Sequence, residues 1–193
     1  MILLTIIRHG QTNENNDNII QGQLQTELSE IGKIQAQKLA IYLMEKKFDE
    51  IITSDLKRAY QTAFEISKYQ PFAHFSVDTL LRERDFGEYT SMPSDEYKKL
   101  GYPEPQKGES KKDILNRARL FIEKIIKSHQ NKKIIIVTHN GFYRALMTII
   151  QNKEAEQIYK IEPLSNTGIT EVIIDTNNTI TLLYTNSIKH LEK

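Results

Sequence analysis

Two histidines of the sequence come one residue after short apolar segments. His9 lies near the end of M-I-L-L-T-I-I-R-H-G, and His139 lies near the end of K-K-I-I-I-V-T-H-N-G. A buried strand gains nothing from a histidine at its end. A reaction site at the end of the strand would explain the presence of this residue. A neutral imidazole nitrogen acts as a nucleophile when a hydrogen bond to the other ring nitrogen fixes the tautomer. The two residues are therefore candidate catalytic groups.

Arg8 and Gly10 flank the first histidine and extend this candidate site. A neighbouring arginine disfavours the charged imidazolium and presents a planar fork of N–H donors to phosphate oxygens. Glycine lets the backbone approach a bound group closely. The chemistry indicated is attack of His9 on a phosphorus atom. On its own, the tripeptide fits a structural histidine at a strand end equally well.

Alternating strands and helices are predicted to position these residues. Apolar runs rich in β-branched residues predict strands at 2–7, 50–53, 74–78 and 133–137. Helical spacing predicts four helices. The first spans 28–47 with an N-cap at Ser29, and the second runs from an N-cap at Ser54 to Ile66. The third runs from a capping box at 110–113 to Ile126, and the fourth spans 142–152.

The remaining segments are predicted to be a hairpin and two loops. Residues 169–175 and 179–185, joined across Asn177 and Asn178, have the pattern of a closing hairpin. The polar segment 11–27 is predicted to be a loop. The segment 88–109 holds three of the five prolines and is predicted to be a long loop or lid.

This order of elements predicts one α/β domain over residues 1–193, a three-layer sandwich with a mostly parallel central sheet flanked by helices. A chain of this length fits a single domain with a substantial core. Ligands of such sheets bind outside the carboxyl ends of the strands. Because His9 and His139 both fall at such ends, we expect them to share one site.

The composition limits the classes of function. Twenty-six basic and 25 acidic residues give a formal charge of +1. This charge lacks the positive excess that is typical of proteins that bind nucleic acid or an anionic membrane. The chain has no cysteine, which excludes disulfides, thiolate nucleophiles and cysteine-based zinc sites. No stretch approaches the ~20 apolar residues of a membrane helix. We expect a cytoplasmic protein with neither nucleic-acid nor membrane partners.

The sequence also lacks the common cofactor motifs. No pair among the five histidines has metal-ligand spacing, and there is neither a P-loop nor a dinucleotide-binding glycine pattern. We therefore expect no metal and no cofactor. The sequence leaves the oligomeric state open between a monomer and a homodimer.

Five blocks of the sequence resemble one known family. The run R-H-G-Q-T-N-E-N resembles the signature of the histidine phosphatase superfamily, also called the phosphoglycerate mutase-like family. The other blocks follow in family order, and they are I-I-Q-G-Q with T-E-L-S-E-I-G-K-I-Q-A, T-S-D-L-K-R-A-Y-Q-T-A, L-R-E-R-D-F-G-E and T-H-N-G-F-Y-R-A. The late segment S-N-T-G also resembles the family. The resemblance covers nearly the whole chain and implies the family's α/β fold.

The resemblance implies a role for each matching residue. His9 would be the nucleophile, Glu83 the general acid and His139 the second catalytic histidine, with Arg8 and Arg58 as phosphate-binding arginines. The other expected contacts to a small phosphorylated substrate are Gly10, Asn15, Gln21, Gly22 and Asn140.

These residue types suit phosphoryl transfer. Two arginines and a protonated or hydrogen-bond-donating His139 would stabilise the charge on the equatorial oxygens. A protonated Glu83 would donate to the departing alkoxide and then deprotonate the water that hydrolyses the phosphohistidine. For this the carboxylic acid needs a partly desolvated site. Two positions depart from the family pattern, because Asn140 stands where glycine is more common and Glu14 where an aromatic residue often precedes Asn15.

Three functions are consistent with this resemblance. The leading interpretation is a metal-independent phosphomonoesterase acting on small metabolites through a phosphohistidine. A 2,3-bisphosphoglycerate-dependent phosphoglycerate mutase would use the same site, but mutases generally carry a longer segment than the 55 residues between Glu83 and His139. An inactive relative that binds phosphoproteins is the third, and the retention of all five catalytic positions disfavours it.

Overall fold

The computed structural model describes residues 1–192, which fold around one central β-sheet. Its strands are β1 (Ile2–Arg8), β2 (Glu50–Thr53), β3 (His74–Val77), β4 (Lys133–Thr138), β5 (Ile169–Ile174) and β6 (Ile180–Ser187). The strand order is β3-β2-β4-β1-β5-β6. The three pairs among β3, β2, β4 and β1 are parallel, whereas β5 is antiparallel to both β1 and β6. The predicted mostly parallel sheet with a closing hairpin is confirmed.

Six α-helices connect the strands. They are α1 (Asn13–Asn16), α2 (Glu30–Leu43), α3 (Lys57–Ser67), α4 (Ser94–Lys99), α5 (Lys111–Ser128) and α6 (Asn140–Ile150). Short 3-10 turns occur at Thr79–Leu81, Gly87–Tyr89, Ala155–Lys160 and Lys189–Leu191. Ser29 caps α2, and Ser110 with Asp113 forms the predicted capping box of α5.

The helices cover both faces of the sheet because successive strand residues point to opposite faces. Ile136 of β4 lies in one buried cluster with Phe121 of α5, to which α6 also contributes. Ile135, its neighbour in the strand, lies in a second cluster with Leu39 of α2, to which α3 also contributes. The result is the predicted three-layer sandwich, with its polar site at the carboxyl edge of β1 and β4.

The structure corrects the two predicted loops. The segment 11–27 contains the single turn of α1, which a capping box between Thr12 and Asn15 stabilises. The segment 88–109 contains α4, and Tyr97 of that helix is 3% exposed. Burial of this aromatic ring holds a helix too short to form by itself. The segment is therefore a packed wall rather than an open loop.

The ends of three helices also differ from the prediction. Helix α2 ends at Leu43 rather than at Lys47, because the side chains from 44 to 47 are exposed. The N-cap of α3 is Leu56, and the Ser54 hydroxyl instead accepts the Leu56 N–H at 3.2 Å. Helix α6 begins at Asn140, two residues earlier than predicted. Its N-cap is therefore His139.

Within residues 1–192, no helix combines the length and the apolar character that crossing a membrane requires.

Candidate active site

The parallel pairing of β1 and β4 brings the two predicted histidines together. The register places Arg8 opposite Thr138, so His9 and His139 are the next residues of adjacent strands. The His9 N–H donates to the Thr138 carbonyl at 3.0 Å. The two imidazole centroids lie 5.1 Å apart, and both side chains are buried. The expected shared site at the sheet edge is present.

The tautomer of His9 is fixed by its surroundings. Its Nδ1 lies 2.7 Å from the carbonyl oxygen of Gly10. Because a carbonyl only accepts, Nδ1 carries the proton and Nε2 keeps its lone pair. Burial, and then the charges of Arg58 and Arg8, hold the pKa of His9 well below its ordinary 6.5. His9 is therefore neutral, and Nε2 carries the lone pair that a nucleophile requires.

Arg58 lies in the first turn of α3 with its side chain buried. Its Nε–H donates to His9 Nε2 at 3.2 Å. Its Nη2 donates to the Gly22 carbonyl at 2.8 Å, and its Nη1 donates to the Leu24 carbonyl at 2.7 Å. Burial lowers the pKa of Arg58 to about 10, so the guanidinium stays charged at neutral pH. The two carbonyls hold it against the nucleophile.

Arg8 and His139, which lie next to this pair, have buried side-chain nitrogen atoms without hydrogen-bond partners. Arg8 Nη1 donates to the Leu164 carbonyl at 2.8 Å, but its buried Nε has no hydrogen-bond partner in the described part of the chain. The same is true of both ring nitrogens of His139. Burial, with the charges of Arg58 and Arg8, holds the pKa of His139 well below 6.5. Of the two expected forms of His139, the neutral, hydrogen-bond-donating one fits this structure.

The carboxyl group of Glu83 lies against the start of α6. Its Oε1 accepts the N–H of Arg84 at 2.7 Å, and its Oε2 accepts the N–H of Gly141 at 3.1 Å. A Cβ atom at Gly141 would come within 2.2 Å of Glu83 Oε1, so this contact requires glycine. Arg117 Nη2 donates to the Glu83 carbonyl at 3.2 Å and fixes the backbone. The partly buried carboxyl thus lines the same cavity as His9.

Asn15 lines the cavity with its orientation fixed. Its Oδ1 accepts the Thr12 N–H at 3.2 Å and the Asn166 Nδ2–H at 3.1 Å. Asn166 Nδ2 also donates to the His9 carbonyl at 3.0 Å. With Oδ1 occupied in this way, Asn15 has its amide NH₂ group as a donor for a bound anion.

Gln21 and Gly22 form the next part of the wall. Gln21 Oε1 accepts the Thr26 hydroxyl at 2.5 Å. Gly22 has a φ of 50°, and a Cβ atom there would come within 2.9 Å of the Thr90 hydroxyl oxygen. A left-handed backbone in this confined space favours glycine. The turn directs the Gly22 carbonyl to Arg58.

Gly10 packs closely against α2. A Cβ atom at this position would come within 2.6 Å of the Gly32 carbonyl oxygen, and the Gly10 N–H donates to the Thr62 hydroxyl at 3.0 Å. Glycine at this position therefore allows the close approach of α2. The expected contact between the Gly10 backbone and a bound group stays a prediction.

Asn140 lines the cavity as the first residue of α6. Its Oδ1 accepts the Leu164 N–H at 3.0 Å. The Leu164 carbonyl in turn accepts from Arg8, so this asparagine supports one of the phosphate-binding candidates. A glycine at this position would lack the side-chain oxygen that accepts the Leu164 N–H.

Several cavity residues were not predicted from the sequence. Arg144 lies inside the segment T-H-N-G-F-Y-R-A and Asn166 inside S-N-T-G, and both residues line the cavity. Their position within these family-like segments could have identified them as candidate site residues. The wall facing the histidines carries three tyrosines, which are Tyr97, Tyr102 and Tyr159. No local pattern marked these rings, because they meet only after α4 and the 155–160 turn pack together.

The cavity has a volume of about 420 Å³ and contains His9, Arg8, Arg58 and Glu83 in its wall. Among residues 1–192, no group of three histidine, aspartate or glutamate side chains is arranged to hold a metal ion. The sheet edge thus carries a neutral histidine, one buried and one partly buried arginine and a nearby carboxyl group, which are the groups that phosphoryl transfer uses.

Comparison with known proteins gives the family. The sequence profile of the histidine phosphatase superfamily (branch 1) matches residues 4–187. The chain therefore belongs to this superfamily, and its reaction class is that of a phosphoric monoester hydrolase.

Similar proteins support this assignment over the whole chain. A putative phosphoserine phosphatase 2 of Hydrogenobacter thermophilus is 32% identical, covering 97% of this chain and 96% of its own length. A mutant phosphoserine phosphatase of Entamoeba histolytica, solved with phosphoserine, has a TM-score of 0.87 and 28% identity, with coverages of 99% and 100%. The phosphoserine phosphatase of that organism solved with 3-phosphoglyceric acid has a TM-score of 0.86 and 30% identity, again with coverages of 99% and 100%.

Proposed function

We propose that this protein hydrolyses phosphomonoesters of small metabolites through a phosphohistidine formed on His9. The observation that carries the proposal is the His9 tautomer, because Nδ1–H donates to Gly10 at 2.7 Å and Nε2 faces Arg58 in the cavity. The phosphatases named above, including one with phosphoserine bound, support the substrate class.

The first half-reaction transfers the phosphoryl group to the protein. His9 Nε2 attacks phosphorus, the bond to the ester oxygen breaks, and a protonated Glu83 donates its proton to that oxygen. The Arg58 Nε–H, released from His9, and the unpartnered Arg8 Nε–H are donors for the equatorial oxygens. Neutral His139 donates one N–H to the same group.

The second half-reaction regenerates the site. Glu83, now a carboxylate, takes a proton from water as the water oxygen attacks phosphorus and the bond to Nε2 breaks. Inorganic phosphate leaves and His9 returns to its Nδ1–H tautomer. In this scheme the two guanidinium groups supply the positive charge that stabilises the transition state, so the proposed reaction needs no metal ion.

A product assay separates hydrolysis from the mutase alternative, which would use the same residues. With 3-phosphoglycerate as substrate we expect inorganic phosphate as the main product. Adding 2,3-bisphosphoglycerate should not produce fast interconversion of 2- and 3-phosphoglycerate, because a mutase must exclude water until the acceptor hydroxyl arrives. Interconversion exceeding phosphate release by orders of magnitude would contradict the proposal and establish the mutase.

A further inference from the structure

Arg144 is an arginine of the cavity wall that has no acceptor. The other three arginines of the wall each donate to named oxygen or nitrogen atoms, and they are Arg8, Arg58 and Arg84. Within residues 1–192, the side chain of Arg144 forms no hydrogen bond and no ion pair, and its Nε is buried without a partner. A buried guanidinium donor without an acceptor is costly, so an acceptor from the ligand is expected at this point.

Arg144 lies on the same helix as the residue that contacts the proposed general acid. It lies on α6 three residues after Gly141, whose N–H donates to Glu83 Oε2 at 3.1 Å. Residues three apart share one face of a helix. Because Glu83 must reach the ester oxygen to protonate it, the leaving alcohol extends along this same face of α6 toward Arg144.

The surroundings of Arg144 favour an anion. Its charge lowers the pKa of Arg8, which shows that the two cations are close enough to repel each other. Its Cζ lies 5.6 Å from the ring centroid of Tyr159, which also accepts a hydrogen bond from Arg84 on its hydroxyl. A planar guanidinium group lying over an aromatic ring is restricted in orientation and suits a planar, two-oxygen acceptor.

We propose that Arg144 binds a carboxylate on the leaving alcohol, so the preferred substrates are phosphorylated hydroxy or amino acids. This inference rests on the proposed function, since it names the substrate class of the same site. The phosphate is held by Arg8 and Arg58, and the carboxylate by Arg144. A carboxylate fits the guanidinium with two parallel N–H···O bonds, which a hydroxyl or an ammonium group cannot provide.

The test compares two substrates that differ only by the carboxylate, O-phosphoserine and O-phosphoethanolamine. We expect the wild type to favour phosphoserine in kcat/KM. A charged hydrogen bond of this kind corresponds to about a 10- to 100-fold effect, so Arg144→Gln should reduce the selectivity ratio by about that factor, mainly through the KM of phosphoserine. Arg144→Lys keeps the charge without the planar fork and should retain part of the ratio.

The matched control is Arg119→Gln, which removes an exposed arginine of α5 and should leave the ratio as in the wild type. An equal loss for both substrates in Arg144→Gln would show that Arg144 serves the phosphate and would overturn the inference. So would a wild type that releases phosphate from p-nitrophenyl phosphate but does not prefer phosphoserine. Failure of the proposed function has a different signature, the absence of phosphate release from all three compounds.

Discussion

The Nε–H of Arg58 donates to Nε2 of His9 across 3.2 Å, so the arginine occupies the lone pair of the nucleophile before substrate arrives. In the proposed reaction, a phosphate oxygen that accepts this N–H frees Nε2 and at the same time brings phosphorus in front of it. We therefore propose that Arg58 both protects His9 and orients the incoming group. Because His9 is neutral, Arg58 can change its hydrogen-bond acceptor from His9 to the phosphate without any proton transfer.

This relationship predicts a large effect of Arg58→Lys. A lysine keeps a positive charge but cannot reproduce the four directed contacts of the guanidinium, which go to His9, Gly22, Leu24 and Thr26. Loss of one preorganised donor costs about 10²- to 10³-fold in kcat, and we expect at least that here. Steady-state hydrolysis of p-nitrophenyl phosphate measures it, with Arg119→Lys as the control. A loss of only a few fold would contradict the role assigned to Arg58.

Glu83→Gln should distinguish substrates by their leaving groups. An alkoxide needs a proton as it departs, whereas p-nitrophenolate does not. General acid help contributes roughly 10²- to 10⁴-fold, so the variant should slow phosphorylation by an alkyl phosphate by about this factor. The same step with p-nitrophenyl phosphate should change far less. Single-turnover measurements separate the phosphorylation step from hydrolysis.

An equal loss with both leaving groups would point to another general acid. Asp85 and Glu88 are the first alternatives in the same segment. Both carboxylates are engaged by backbone N–H groups. Asp85 Oδ1 accepts the Gly87 N–H at 2.9 Å, and Glu88 Oε1 accepts the Gln106 N–H at 2.7 Å. Asp85→Asn and Glu88→Gln are therefore matched controls that should show no dependence on the leaving group.

The two active-site histidines predict a pH dependence of stability. Both have a pKa well below 6.5 in the folded protein, mainly because of burial, and would titrate near 6.5 when unfolded. As the pH falls below 6.5, these two histidines bind up to two more protons in the unfolded chain than in the folded one. Burial also lowers the pKa of His190, to about 4, so this residue adds up to one more proton. The free energy of unfolding must then fall with pH, and His9 and His139 together contribute up to about 2.7 kcal/mol per pH unit to the slope.

Urea unfolding between about pH 7 and pH 5 measures this slope, a range in which most carboxylates keep their charge. The double variant His9→Asn/His139→Asn removes both active-site imidazoles and should reduce the slope to the smaller part that His190 contributes. A double variant with the same slope as the wild type would show that the histidines are not the groups that take up the protons.

The strands and their ends could be predicted because they depend on local patterns. The β-branched runs before Arg8 and Thr138 end where polar residues begin, so the positions of His9 and His139 followed directly. The hairpin across Asn178 was predictable for a related reason, since this residue has a φ of 64°, a conformation asparagine tolerates. Such signals need no knowledge of tertiary contacts.

The predictions that were wrong depended on contacts between distant segments. Helix α4 has six residues and exists because Tyr97 is buried against Tyr159 from the other end of the chain. The close approach of Gly32 in α2 to Gly10 is also a contact between distant segments, which no local pattern shows. The unpartnered state of Arg144 is likewise a property of the assembled cavity. Neither periodicity nor spacing contains this information.

The most direct test of the central claim is the identification of the phosphorylated residue. Rapid mixing with a ³²P-labelled substrate, quenched without acid, should trap an acid-labile and base-stable phosphoryl group on the wild-type chain, and peptide mapping should locate it at His9. His9→Ala should retain the fold but show neither the adduct nor turnover. The account is contradicted if His9→Ala stays active, or if the phosphoryl group is found on a serine.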